Sequence, residues 1–282
     1  MNYRHIYHAG NFADLAKHVG LLYCMSALQR KEGALFVLDS HAGRGYYDLQ
    51  APEARTSGEA DRGVQRLIET RLDATVLADY FAAIGARRGK RLSLYPGSPA
   101  LIAKRLRPQD RALFVEVLPA EARAIEREID SVGRVRTAIG DGYAALKAHL
   151  PPEERRGLVL IDPPYESLDE LKLMLLAFTE AYRRWRSGVF LIWYPIRSAT
   201  QRSHVHARFA SLGIPKMLFA DLAIHPDDAG VGLAGSGLII INPPYGTDAF
   251  LADAYGEIHR GIAQPGAGYV QVARLTPERM PQ

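Results

Sequence analysis

The sequence predicts a doubly wound α/β fold on a mainly parallel sheet of seven strands. Short, near-continuous apolar runs of strand length alternate with amphipathic helical segments, the pattern of a sheet covered on both faces. Each run ends in a turn signal. At 282 residues, 48% of them hydrophobic and 23% charged, the chain is long enough to bury one large core.

A helix is predicted from Phe12 to Arg30, with Leu15, Val19, Leu22 and Leu28 at helical spacing. Seven strand-like runs follow: ALFVLD (34–39), ALFVEV (112–117), RVRTAI (134–139), GLVLID (157–162), GVFLIWY (188–194), KMLFADLAI (216–224) and GLIIIN (237–242). Among them lie the helical stretches PAEARAIEREID, YAALKAHL, DELKLMLLAFTEAYRRW and SHVHARFASLG. One region breaks the rhythm. GEADRGVQRLIETRL and DATVLADYFAAIGARR read as two helices without an intervening strand, so residues 51–91 are taken as a helical insertion after the first strand. The expected organisation is 1–50 (first helix, first strand and its turn), 51–91 (insertion) and 92–282 (the rest of the same domain). In a fold of this kind ligands belong beyond the carboxyl ends of the strands.

Composition narrows the partners. No apolar run approaches about 18 residues and the N-terminus lacks a signal-peptide core, so a cytoplasmic protein without a membrane partner is expected. Cys24 is the single cysteine, which excludes an internal disulfide framework and a multi-cysteine zinc site. The formal charge is only +4 with a pI near 9.1, but the basic residues cluster. Arg87, Arg88, Lys90 and Arg91 form one group, Lys104, Arg105 and Arg107 a second, and Arg183, Arg184 and Arg186 a third, with RSATQRSHVHARF also basic. Each alone fits a solvated helix face. Together they favour a polyanionic partner.

Several polar residues sit where such a fold gathers its ligand contacts. LDSHAGRGYYDL places Asp39, Gly43 and Gly45 in a strand-to-glycine turn that lets backbone approach a ligand closely. No lysine follows to make a phosphate loop, so a nucleotide-like ligand without a polyphosphate fits better. Glu116 closes the second strand, where a carboxylate can accept from both hydroxyls of a ribose or simply pair with a neighbouring cation. Ser98 before Pro99 reads as a helix N-cap, as does Asp141 before Gly142. His18 and His41 read first as satisfied core histidines and only second as ligand contacts.

The sharpest signal is LIDPPY. Two prolines after Asp162 fix two φ angles and remove two backbone donors, holding Asp162, Pro163 and Tyr165 in a defined relation. This resembles the (Asp/Asn/Ser)-Pro-Pro-(aromatic) signature of amino-methyltransferases that use S-adenosylmethionine. An adenine amine is a poor nucleophile because its lone pair is delocalised. Asp162 and the Pro163 carbonyl can each accept one amine N–H and favour the pyramidal nitrogen that attacks a methyl group, while Tyr165 can stack on the flipped base. A sulfonium already activates the methyl group, so no metal is expected. A second copy, INPPYG, places Asn242 to Tyr245 after the last strand. Because Asp162 follows the glycine turn, Glu116 and Asp141 in chain order, the later copy is read as a structural turn.

YRHIYHAGNFADLAKH, HAGRG, YPGSP, IGDG, LIDPPY, WYP and INPPY together make the whole chain resemble the RlmJ family, which methylates N6 of an adenosine in 23S ribosomal RNA. The resemblance implies a Rossmann-like class I methyltransferase using S-adenosyl-L-methionine. By matching positions it implies cofactor contacts at His18, His41, Ser98, Glu116, Asp141, Gly142 and Asp162, catalysis at Asp162, and Tyr3 against the substrate entrance, with Lys17 beside the site. The family turn often reads THAGAG where this chain has Ser40 and Arg44, and its His-Pro pair is replaced here by EVLPA, which leaves contacts near Leu118 less defined. A monomer acting on ribosomal RNA is expected. A DNA adenine or protein glutamine methyltransferase, or a noncatalytic RNA-binding protein on the same shell, fits the motif chemistry too.

Overall fold

The computed structural model describes residues 4–129, 134–226 and 229–277. Helix α1 (Phe12–Gln29) starts where Asn11 accepts from the backbone N–H groups of Ala13 and Asp14, and leads into strand β1 (Phe36–Asp39). A short ribbon of β2 (Tyr46–Asp48) and β3 (Leu94–Pro96) brackets the insertion, and its antiparallel pairing brings Tyr46 opposite Pro96. The insertion therefore leaves the fold and returns at one place, and the main sheet is not interrupted.

Within the insertion both expected helices form, and a short α2 (Pro52–Ser57) precedes them. The first passes through a π-helical turn (Asp61–Gln65) into α3 (Arg66–Arg71), and the second contains α4 (Ala78–Ile84). Gly58 and Gly85 end α2 and α4 in the left-handed conformation, which separates α2 from the first helix and stops the second before Arg87 and Arg88. Val64, Leu67, Leu77, Phe81 and Ile84 share one core with Leu15, Val19 and Leu22 of α1.

The remaining elements are α5 (Ser98–Arg105), β4 (Arg111–Glu116), α6 (Pro119–Glu128), β5 (Val135–Ile139), α7 (Gly142–His149), β6 (Gly157–Ile161), α8 (Glu170–Arg184), β7 (Val189–Ile196), α9 (Ala199–Ala210), β8 (Met217–Ala223), β9 (Gly235–Ile241), α10 (Thr247–Ile262) and β10 (Tyr269–Arg274). The main sheet has the order β10-β8-β9-β7-β6-β1-β4-β5, eight strands rather than the seven expected. The added strand, β10, pairs antiparallel with β8 at the edge, and its half-exposed, mixed sequence gives no continuous apolar run to read. β5, β4, β1, β6 and β7 are mutually parallel, and β9 is antiparallel to β7 and β8.

Strand side chains alternate between two cores, as the two-residue period requires. Val37, Leu158, Leu160 and Leu191 face α1, α10 and the insertion, whereas Leu38, Val159, Ile161, Phe190 and Ile192 face α8 and α9 through Met174, Phe178, Val205 and Phe209. The chain reverses its direction of travel across the sheet between the neighbouring strands β1 and β6. Their carboxyl ends, with those of β4 and β5, open on the same edge. No helix among the described residues is long and apolar enough to cross a membrane.

Candidate active site

At that edge lies a cavity of about 440 Å³, within the range of roughly 300–1,000 Å³ that holds small-molecule ligands. It is lined by residues from the ends of β1, β4, β6 and β7, from α1, and from the segment before α1. Lys17, His18, His41, Ser98, Glu116, Gly142, Asp162, Pro163 and Tyr165 all border it. Asp141 stands next to Gly142 at the start of α7, where its carboxylate caps the helix by accepting from Ala144 N at 2.7 Å. Tyr3 lies outside the described residues.

Three residues of α1 build the floor. Asp14, Lys17 and His18 stand at i, i+3 and i+4, so all three project from one face of the helix. Lys17 Nζ donates to Asp162 Oδ2 at 2.5 Å and lies 2.9 Å from Asp14 Oδ1. Burial opposes its charge, but the two carboxylates more than offset this and hold its pKa well above the usual lysine value. Asp14 is also fully buried. Burial pushes its carboxyl up, yet His5 and Lys17 bring it well below the ordinary range. Asp14 Oδ2 in addition bonds His5 Nε2 at 3.0 Å and accepts from Gly10 N at 3.0 Å, tying the segment before α1 to the site.

Both predicted histidines are held neutral. Burial drops His18 to about 3, and its Nδ1 bonds the Tyr95 hydroxyl at 2.9 Å. Burial drops His41 to about 4. Ser40 Oγ donates to the Leu160 carbonyl at 3.0 Å, so it accepts from His41 Nδ1 at 2.8 Å, which leaves Nε2 as the free acceptor on that ring.

The strand ends complete the wall. Glu116 accepts from Gly43 N and Leu118 N, both at 2.8 Å, and burial raises it above the usual glutamate value. Leu118 thus joins the site through its backbone. Gly142 admits the Ser40 carbonyl, which a Cβ would meet at 2.0 Å, so the start of α7 can lie directly against the β1 turn. Ser98 is not the cap the sequence suggested. Gly97 is the N-cap of α5, and Ser98, its first residue, donates from Oγ to Asp39 Oδ2 at 2.6 Å.

That bond bears on the expected cofactor. Asp39 is fully buried at the end of β1, and among the described residues its Oδ1 has no hydrogen-bond partner. Burial pushes its pKa up to about 7, against the donation from Ser98. Asp39 itself stands behind the wall and does not border the cavity, whereas Ser98 and Glu116 do. A carboxylate at Glu116 suits a ligand that brings ribose hydroxyls, so the residues present fit S-adenosylmethionine, which Ser98 and Glu116 would hold.

The wall beyond Asp162 is aromatic. Tyr165 takes a positive φ of 50°, and its hydroxyl donates to the Trp193 carbonyl at 3.1 Å. Its ring meets Trp193 edge to face at 5.6 Å. Asp162 keeps a 17% exposed side chain, and among the described residues its one hydrogen bond comes from Lys17. Oδ1 makes none there. The second Pro-Pro copy lies elsewhere. Because β9 runs antiparallel to β7, its end emerges at the opposite edge, where Asn242 Nδ2 donates to the carbonyls of Arg186 and Gly188, both at 2.8 Å.

Reading the sequence residue by residue missed Asp14, His5 and Trp193. Asp14 was visible in its spacing to Lys17 and His18. His5 and Trp193 reach the site only through the fold.

The model for the family described as "Ribosomal RNA large subunit methyltransferase D, RlmJ" matches residues 32–276. Proteins named ribosomal RNA large subunit methyltransferase J are 36% identical over 280 residues in Haemophilus influenzae and 33% identical over 279 in Escherichia coli, each match covering 99% of this chain and 100% of the relative. The crystal structure of protein LPL1258 from Legionella pneumophila superposes with a TM-score of 0.86 at 31% identity, covering 95% of this chain and 98% of that one. A probable spermidine synthase from Corynebacterium glutamicum, at TM-score 0.52 and 12% identity over 92% of this chain and 74% of that one, shares the fold alone. With a family match over most of its length and relatives above 30% identity over nearly all of it, the chain belongs to the RlmJ family of ribosomal RNA large subunit methyltransferases.

Proposed function

We propose that this protein methylates N6 of an adenosine in 23S ribosomal RNA, using S-adenosylmethionine. The observation that carries the reading is the Asp162 carboxylate, held at the mouth of the β6 turn by the buried Lys17 ammonium and flanked by Pro163 and Tyr165 in one cavity. When bound, the cofactor supplies a methyl group already activated by its sulfonium. Everything else falls to groups of this chain. Asp162 Oδ1 accepts one N–H of the adenine amine and the Pro163 carbonyl accepts the other, which draws the nitrogen out of conjugation and aims its lone pair. Tyr165, fixed by its bond to the Trp193 carbonyl, stacks on the base after it leaves its helix or loop. Lys17 orients Asp162 by donating to Oδ2, which leaves Oδ1 for the amine. The proton on the methylated nitrogen is acidic, and a hydrogen-bonded acceptor suffices to receive it.

The same reading has the protein act as a monomer in the cytoplasm, with the basic clusters gripping RNA backbone. Asp162→Ala should abolish methyl transfer to a 23S transcript while leaving the thermal transition and cofactor titration recognisable. Transfer near the wild-type rate would refute the assignment. Competition by duplex DNA and by a glutamine-containing peptide separates this substrate from other planar amines: neither should compete as RNA does.

A further inference from the structure

We infer that Arg197 binds a backbone phosphate flanking the target nucleotide, an inference that rests on the reading above that the substrate is RNA. Three guanidinium groups line the cavity: Arg4, Arg44 and Arg197. Two of them are neutralised within the protein. Arg4 pairs with Glu53 at 2.9 Å, and Arg44 makes a forked pair with Glu121 at 2.5 and 2.9 Å. Arg197 differs. Among the described residues no carboxylate pairs with it, and its guanidinium makes one long bond, from Nη2 to the Tyr165 carbonyl at 3.4 Å. A group with five donors and one weak acceptor, exposed to water, is a charge left available for an anion.

Its position says which anion. Arg197 is the first residue after β7, the strand that also sends Trp193 and Pro195 into the cavity wall. The bond to the Tyr165 carbonyl sets it directly against the base clamp. A base must enter edge first to bring its amine to Asp162, so its ribose and both neighbouring phosphates trail toward the mouth where Arg197 stands. A forked guanidinium matches a phosphodiester in geometry as well as charge. Beyond it, α9 reads ATQRSHVHARFA without a single acidic residue, so no side chain of that helix repels the strand. The cavity is thus divided by charge: Arg4 and Arg44 are spent on the protein's own carboxylates, and Arg197 faces the substrate.

The test is steady-state methylation of an unmodified large-subunit ribosomal RNA transcript across a salt series, with wild type, Arg197→Ala and Arg197→Lys. Arg197→Ala should raise KM for RNA about tenfold and reduce the slope of log KM against log salt by about 0.7 to 0.9, the share of one phosphate contact. Arg197→Lys should restore most of the salt slope and only part of the affinity, because a lysine keeps the charge without the fork. Calorimetric titration with S-adenosylmethionine should give the wild-type affinity for both variants, which separates lost RNA contact from a damaged fold. Wild-type KM and salt slope in Arg197→Ala would overturn the inference while the proposed function stands. A wild-type protein that transfers no methyl group to RNA would overturn both.

Discussion

Lys17 illustrates how much rests on single buried side chains in this site. Its ammonium lies between Asp14 and Asp162, and removing it leaves two carboxylates facing each other without a cation. Lys17→Met should destabilise the fold by about 3 kcal/mol, the usual cost of orphaning a buried charge. Adding Asp14→Asn should recover part of that stability in denaturant titrations but not the turnover, since Asp162 still lacks its orienting donor. A neutral single variant would contradict the account. Titration gives a second check. Folding lowers His18 to about 3 and His41 to about 4 from 6.5, so between pH 6 and 4 the unfolded chain binds two protons that the native protein refuses. Folding raises Asp39 from 3.8 to about 7, so over the same window the native protein holds one proton that the unfolded chain lacks. The balance is one proton in favour of the unfolded state. Stability should therefore fall as pH drops from 6 toward 4, by about 1.4 kcal/mol per unit from these three groups. Asp14 enters only below its unfolded value of 3.8, and His8, raised chiefly by its bond to Glu59, only above 6.5. Urea midpoints measured across that range test the sign, and a rise toward pH 4 would be inconsistent with two neutral histidines in the site.

At the level of elements, the insertion and the segment before α1 act as one unit. Glu59 accepts from His8 Nδ1 at 3.0 Å and from Asn11 Nδ2 at 2.9 Å, and Asn11 caps the helix that carries Asp14, Lys17 and His18. The Val64 N–H donates to the Gly10 carbonyl at 2.8 Å. Gly63 makes that approach possible, because a Cβ there would lie 2.3 Å from the Gly10 oxygen and 2.9 Å from Asn11 Cα. Gly63→Ala should cost about 1–3 kcal/mol in thermal unfolding, as backbone atoms cannot rotate away like a side chain. Glu59→Gln should speed hydrogen exchange in residues 8–11 and lower kcat/KM without altering the main sheet; unchanged exchange there would show that the insertion does not hold the segment. None of this coupling was legible from local pattern. Helical periodicity located the insertion, but the glycines that end α2 and α4, the π-helical turn and the β2–β3 ribbon depend on what the insertion packs against. Six of the seven predicted strands were legible as apolar runs buried on both faces, and only β5, half-exposed at the sheet edge, was found without that signal, whereas β10 covers the other edge with a mixed sequence and α10 was passed over entirely.

For the whole molecule, sheet direction decides which of two similar motifs can do chemistry. Asp162 ends a strand parallel to β1 and opens on the cavity, whereas Asn242 ends an antiparallel strand at the far edge and spends its amide on two carbonyls. Asn242→Ala should lower stability by about 1–2 kcal/mol and leave methyl transfer at the wild-type rate, the reverse of Asp162→Ala; a loss of transfer with stability intact would give the second motif a role this account denies it. Chain order alone pointed to the same choice, since the glycine turn, Glu116, Asp141 and Asp162 follow one another along a parallel sheet. Side-chain partners were harder to read. Ser98 looked like a cap and instead serves Asp39, because only the folded sheet brings β1 and α5 together. The central claim is that Asp162, positioned by Lys17, presents an adenine amine for methylation. Incubation of the purified protein with labelled S-adenosylmethionine and an unmodified 23S transcript, followed by nuclease digestion and mass spectrometry of the nucleosides, tests it most directly. The account predicts label in N6-methyladenosine at a single position, lost in Asp162→Ala; label on a ribose hydroxyl or a ring atom, or N6 label that survives the substitution, would contradict it.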